Sequence, residues 1–387
     1  MLRSSISNAA IDGARNLLTN CARLRADERL LILHEDPALG WYDADAPALV
    51  AQVARTLGVQ VELRQVDGPD NRLLDARFDS DGGTDADTGT DAGTGMRIPV
   101  TDDYDCCIFF ARIGDQLRFE DAHERGRRVL CYATSLGALA SHYGRVPHQA
   151  MVDLKETIDN LLVDAAVITI TCPLGSDLRG SVNSGANGEK AASALPEVKV
   201  QRFPLGVHLP IAASGFSGVV KLSRYLTPTG SRVYHPPWVA IGAPVAAQVE
   251  KGRISGYTGD ADNVRRIEDQ YRRVARAFSL NPDVVHSWHA GIHQGCYFKG
   301  SAADDPDRWS NSVFTNPRFV HFHTCGEVAP GEICWMVLDP TICVDGKPLW
   351  ADGRLQLAEF LKTRQCVQRW PILGELAASA NGDIGLP

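Results

Sequence analysis

Five of the eleven histidines of this 387-residue chain fall within one stretch: His286, His289, His293, His321 and His323. The last two lie in Arg318-Phe-Val-His-Phe-His-Thr-Cys-Gly326, an apolar and aromatic run that reads as a strand. Side chains two apart on a strand point the same way, so His321 and His323 share a face while Val320 and Phe322 take the other. Two adjacent imidazoles on a stiff element make half of a transition-metal site, and a third from residues 286–293 would complete one side of the coordination sphere. His289-Ala-Gly-Ile-His293 has the spacing that places two imidazoles on one helix face, as in zinc peptidases. Those enzymes need Glu directly after the first His as general base; here Ala290 stands there, and Gly291 weakens any helix. Either His289 or His293 therefore joins His321 and His323, with the other beside the site, and His286 reads as structural. Three neutral imidazoles leave a divalent iron its full charge and open positions, which suits an anionic chelating substrate and O2 side by side. The same three ligands also suit a zinc ion holding an activated water. Spacing alone does not separate iron from zinc.

These residues need a scaffold, and the first half of the chain reads as one. Apolar positions at helical spacing run from 6 to 24, and a second helix follows near Ala44 to Leu57. Short apolar runs at Arg29–Leu33, Val59–Leu63, Cys106–Phe110 and Arg128–Tyr132 alternate with helical segments, the pattern of a doubly wound, mostly parallel sheet. The first strand is not followed by GxGxxG, so a dinucleotide site is unsupported. Residues 1–165 are thus expected to form an α/β scaffold domain. The Asp-, Gly- and Thr-rich segment at 79–95 has no large apolar residue to offset its ordering entropy and reads as a flexible insertion. It lacks the closing Glu of a calcium loop.

A long helix, His148 to Asp164, and a strand, Ala166 to Thr171, lead into residues 166–387, read as a mixed α+β catalytic domain. Gly175 to Gly188 reads as a loop. Gln248–Ser255, Cys334–Leu338 and Cys343–Lys347 suggest antiparallel strands with glycine turns, and Asp262 to Phe278 a charged amphipathic helix. All the metal candidates lie in this half.

Composition excludes several classes. The 44% hydrophobic and 22% charged fractions are those of a soluble globular enzyme, and a net charge of −8 argues against nucleic acid as partner. No apolar run is long enough for a bilayer, and Met1-Leu-Arg-Ser-Ser-Ile-Ser lacks a secretory apolar stretch, so a cytoplasmic location without membrane attachment is expected. The ten cysteines are scattered without a CxxC pair and read as reduced core thiols.

Asp283-Val-Val-His-Ser-Trp-His-Ala-Gly291 and His321-Phe-His323, with the order of elements, resemble 2,5-dihydroxypyridine 5,6-dioxygenase, a mononuclear non-heme iron ring opener. That family is related in fold to the M29, aminopeptidase T-like metallopeptidases. Asn16-Leu-Leu-Thr-Asn-Cys-Ala-Arg-Leu24 with Glu28-Arg-Leu-Leu-Ile-Leu33 looks like the start of that superfamily. The similarity is faint over the first domain and sharper from about 200 to 345. It implies His289 as the first iron ligand, and His321 with His323 in place of the family's His-x-Asp pair. The aspartate ligand is thus a histidine here, which puts the substrate in doubt more than the chemistry. A family tyrosine corresponds to Phe278. His208, followed by Ser214-Gly-Phe216, is similar to a pocket-lining segment.

The resulting expectation is an Fe(II)-dependent, ring-cleaving dioxygenase acting on a hydroxylated pyridine or related aromatic compound with O2. His289, His321 and His323 would be metal ligands, His208 and His293 candidates for proton transfer, and Ser214 a substrate-orienting residue. The resemblance also suggests a homo-oligomer. The first rival is an M29-like metal-dependent aminopeptidase or amide hydrolase, although Pro282–Trp288 and Ala212–Gly218 offer none of the glutamates that branch places there. A non-catalytic binding protein with structural histidines is the second.

Overall fold

The computed structural model describes residues 7–68, 103–116, 126–182, 200–228, 230, 234, 236–327, 331–379 and 383–386. The segment at 79–95 lies outside the described residues.

Leu30-Leu-Ile-Leu33 cannot face water on either side, and the fold buries it completely at the centre of a parallel sheet. This strand, β1 (Arg29–Glu35), pairs in parallel with β2 (Gln60–Val66) and β3 (Cys106–Phe110). β4 (Arg127–Cys131) and β7 (Gln201–Phe203) extend the sheet to the order β2-β1-β3-β4-β7, parallel throughout. The helices Asn8–Arg15 and Asp45–Thr56 bury their apolar stripes against it. The expected parallel sheet is therefore present.

A division at residue 165 does not follow the sheets. After β4 the chain runs through the helix His148–Val163 into β5 (Ile168–Thr171) and β6 (Asp177–Gly180), then returns to the first sheet for β7. The strand β6 also lies inside the Gly175–Gly188 stretch expected to be a loop. Its Leu178 is buried, which outweighs the local glycine content.

The rest of the chain builds two antiparallel sheets. One has the order β11-β10-β9-β6-β5-β15-β16-β17, with β9 at Phe216–Leu226, β10 at Val239–Glu250, β11 at Arg253–Thr258, β15 at Thr341–Val344, β16 at Lys347–Ala351 and β17 at Arg354–Leu355. The other, of four strands, is β14-β13-β12-β8, with β8 at Ile211–Ala212, β12 at Val285–Ala290, β13 at Phe319–Cys325 and β14 at Glu332–Leu338. The amphipathic helix Ala261–Phe278 buries Ile267, Tyr271, Val274 and Ala275 in the large core beneath these sheets. Among the described residues no helix is long and apolar enough to cross a membrane.

Candidate metal centre

Every residue of β13 is buried, so both faces of this strand are covered. Val320 and Phe322 face the large core with Trp288 and Trp335. Phe319 faces a smaller cluster with Met336, Trp309 and Val313, roofed by the helix Pro306–Val313. His321 and His323 share the face of Phe319, as the two-residue period requires.

Register brings the third imidazole to the same face. In the antiparallel ladder of β12 and β13, His289 stands directly opposite His321, and Ser287 opposite His323. The ring of His289 lies 5.4 Å from that of His321 and 4.8 Å from that of His323, centroid to centroid. A shift of register between Val285 and Ser287 marks a bulge at His286. Its Nε2 is 2.9 Å from the Cys325 carbonyl oxygen, so this ring closes the strand end instead of joining the cluster.

The helix-like spacing of His289 and His293 is not used. His289 ends an extended strand, and at Gly291 a Cβ would sit 2.1 Å from the Asn316 carbonyl oxygen, so no side chain fits the close approach of these two backbones. The chain then turns, and the His293 ring packs edge-on against Tyr143, centroids 4.8 Å apart, with Nδ1 accepting from the Gly295 amide at 3.2 Å.

His208 is buried beside the cluster, its ring 6.4 Å from that of His289. Both of its nitrogens are engaged: Nδ1 donates to the Leu209 carbonyl at 2.6 Å, and Nε2 accepts from the Ala290 amide at 2.8 Å. It braces the end of β12 and has no nitrogen left to exchange a proton with substrate. Ser214 lies exposed in a short turn, its Cα close against Gly252. Ser287, buried and opposite His323, shares the face of the imidazoles.

Glu332, which the sequence reading did not single out, completes the centre. It opens β14 opposite Cys325 and accepts a hydrogen bond from His323 Nδ1. A carboxylate holding one ring nitrogen fixes the tautomer and presents Nε2 as the ligating atom, the usual support for a metal-bound histidine.

Burial keeps these rings neutral, with their lone pairs available. Desolvation pulls His321 down to about 3 and His293 to about 3, and holds His208 near 4. His289 is lowered well below the usual range, first by burial, then by His323, His321, His208 and Arg202. Buried imidazole nitrogens without a hydrogen-bond partner are rare, because each forfeits its hydration. Among the described residues, His289 Nδ1 and His321 Nε2 are both in that condition. These orphaned atoms beside His323 fit a metal ion, which would satisfy them together. Among the described residues no group of three or more His, Cys, Asp or Glu side chains stands close enough together to hold a metal ion as it is.

No protein-family model and no curated protein matches the sequence. Among solved structures, the chain is similar to 2,5-dihydroxypyridine dioxygenase from Pseudomonas putida, with a TM-score of 0.54 at 12% identity over 93% of this chain and 100% of the other. AmpT from Thermus thermophilus aligns with a TM-score of 0.49 at 12% identity, over 91% of this chain and 100% of that one. The chain thus shares its fold with 2,5-dihydroxypyridine dioxygenase, as the histidine-bearing segments led one to expect.

Proposed function

We propose that the chain is a mononuclear non-heme Fe(II) dioxygenase that opens the ring of a hydroxylated pyridine or related aromatic compound with O2. The observation that carries this reading is the set of three buried imidazoles on one sheet face, two of them with nitrogens that find no hydrogen-bond partner among the described residues. Iron, when bound, would supply activation of O2 next to a chelated, electron-rich ring.

The chain's own residues do the rest. His289, His321 and His323 would hold the ion and, being neutral, would leave its positive charge available for an anionic ring hydroxyl. Glu332 orients His323 through Nδ1. Phe314 and Phe319, their ring centroids 6.0 and 6.1 Å from that of His321, keep water from that side. Arg202 on β7 adds positive potential at His289 and favours an anionic ligand.

The carboxylate hydrogen-bonded into the cluster, Glu332, is committed to His323, whereas a two-metal hydrolase needs carboxylates that bridge its ions. The test is oxygen uptake by protein reconstituted anaerobically with Fe(II), against dihydroxypyridines and hydroxylated benzoates. Uptake matching the loss of ring absorbance is expected. None, in protein shown to hold iron, would turn the assignment to amide hydrolysis.

A further inference from the structure

A cavity of about 640 Å³ opens at the carboxyl ends of β1 and β4, where ligands of parallel α/β sheets usually bind. Its walls are aromatic, with Trp41, Tyr132, Tyr143 and Tyr297 among them, and two cations reach it, Lys299 and Arg308. The Lys299 ammonium lies 5.8 Å from the centroid of Tyr297, and the Arg308 guanidinium 5.9 Å from that of Phe298. Among the described residues neither side chain has a carboxylate partner. The lining carboxylate, Asp43, is occupied in accepting from the amides of Ala46 at 2.7 Å and Leu136 at 2.9 Å. In a chain of net charge −8, two cations facing one aromatic chamber, neither paired with a carboxylate among the described residues, suit an anion.

The chamber adjoins the histidines. Tyr132 packs edge-on against Phe314 at 5.2 Å, and Phe314 lies 6.0 Å from His321. Tyr143 reaches from the cavity to the ring of His293 and, through its hydroxyl, to Thr315 Oγ1 at 3.2 Å.

We infer that this cavity is a binding site for an aromatic carboxylate, one aromatic ring away from the histidine centre, and that it selects the substrate of that centre. Lys299 and Arg308 take the carboxylate while the ring stacks among Trp41, Tyr132 and Tyr297. The word substrate rests on the dioxygenase reading; the binding does not.

Calorimetric titration of metal-free protein separates the two. The probes are 2,5-dihydroxybenzoate and hydroquinone, which is the same ring without its carboxylate. The carboxylate should bind at least roughly tenfold tighter, and Lys299→Met and Arg308→Met should each remove roughly tenfold, the scale of one charge-assisted hydrogen bond. Lys299→Arg should bind as the parent does, and unchanged melting curves establish that the variants are folded. Equal affinity for both probes, or full affinity in the folded double Met variant, overturns the inference. So does iron-loaded protein that consumes O2 as fast with neutral rings as with carboxylated ones, an outcome that leaves the dioxygenase reading standing. Tight carboxylate binding without oxygen uptake removes the dioxygenase reading and keeps the pocket.

Discussion

Glu332 accepts a hydrogen bond from His323 Nδ1 across the β13–β14 ladder, although it stands opposite Cys325, two residues further along. A diagonal reach of this kind holds the ring at a fixed tilt and leaves Nε2 for a ligand. Glu332→Gln keeps the shape and removes the charge. Iron retained after dialysis, measured by atomic emission, should correspond to an affinity roughly 10–100-fold weaker, the usual loss for such a partner. Unchanged affinity would mean that the carboxylate serves packing alone.

His321→Leu should change stability in opposite directions with and without metal. In metal-free protein the substitution replaces a buried, unsatisfied nitrogen by an apolar group and should raise stability by about 1 kcal/mol. With Fe(II) present the parent should be the more stable, because it alone gains the binding free energy. Paired melting curves of both proteins, with and without the ion, show whether the order reverses. A variant less stable in both states would make His321 a structural residue.

Acid should destabilise the metal-free protein well before its carboxylates protonate. Burial holds His293 and His321 at about 3 and His208 at about 4, below the ordinary 6.5 that the unfolded chain recovers. As pH falls through 6.5 the unfolded state takes up protons first. Stability fully present above that value is therefore lost progressively towards pH 4, each ring contributing a slope of about 1 kcal/mol per pH unit. Urea midpoints at pH 7 and pH 5 measure it. Equal midpoints would mean that these rings are solvated.

His208→Ala should cost about 2–4 kcal/mol, since it orphans the Ala290 amide and empties space between Trp288 and Trp350. The pH profile of turnover by the folded, iron-loaded fraction should keep its shape. Loss of one limb of that profile would restore His208 as a proton donor or acceptor.

The parts of this centre differed in how openly the sequence showed them. His321 and His323 were readable because a strand's period of two puts them on one face whatever the fold around them. His289 was not readable from spacing. Its interval to His293 fits a helix, and the strand that ends at Ala290 is imposed by Gly291 packing on Asn316, a contact distant in sequence. Glu332 was invisible for a similar reason: nothing local links it to His323 until the register of β14 is known. His208 carried a family likeness but finds both hydrogen-bond partners in the backbone. The parallel scaffold was legible in its continuous apolar strands. The return of β7 was not, because Gln201–Phe203 is too short to carry a pattern.

The central claim is tested most directly by labelled dioxygen. Iron-loaded protein should turn over a hydroxylated aromatic ring under isotopically labelled O2, and the product should be weighed by mass spectrometry. Two labelled oxygen atoms in a ring-opened product is the expected result. Product carrying oxygen from water alone would contradict it and make the three histidines the ligands of a hydrolase.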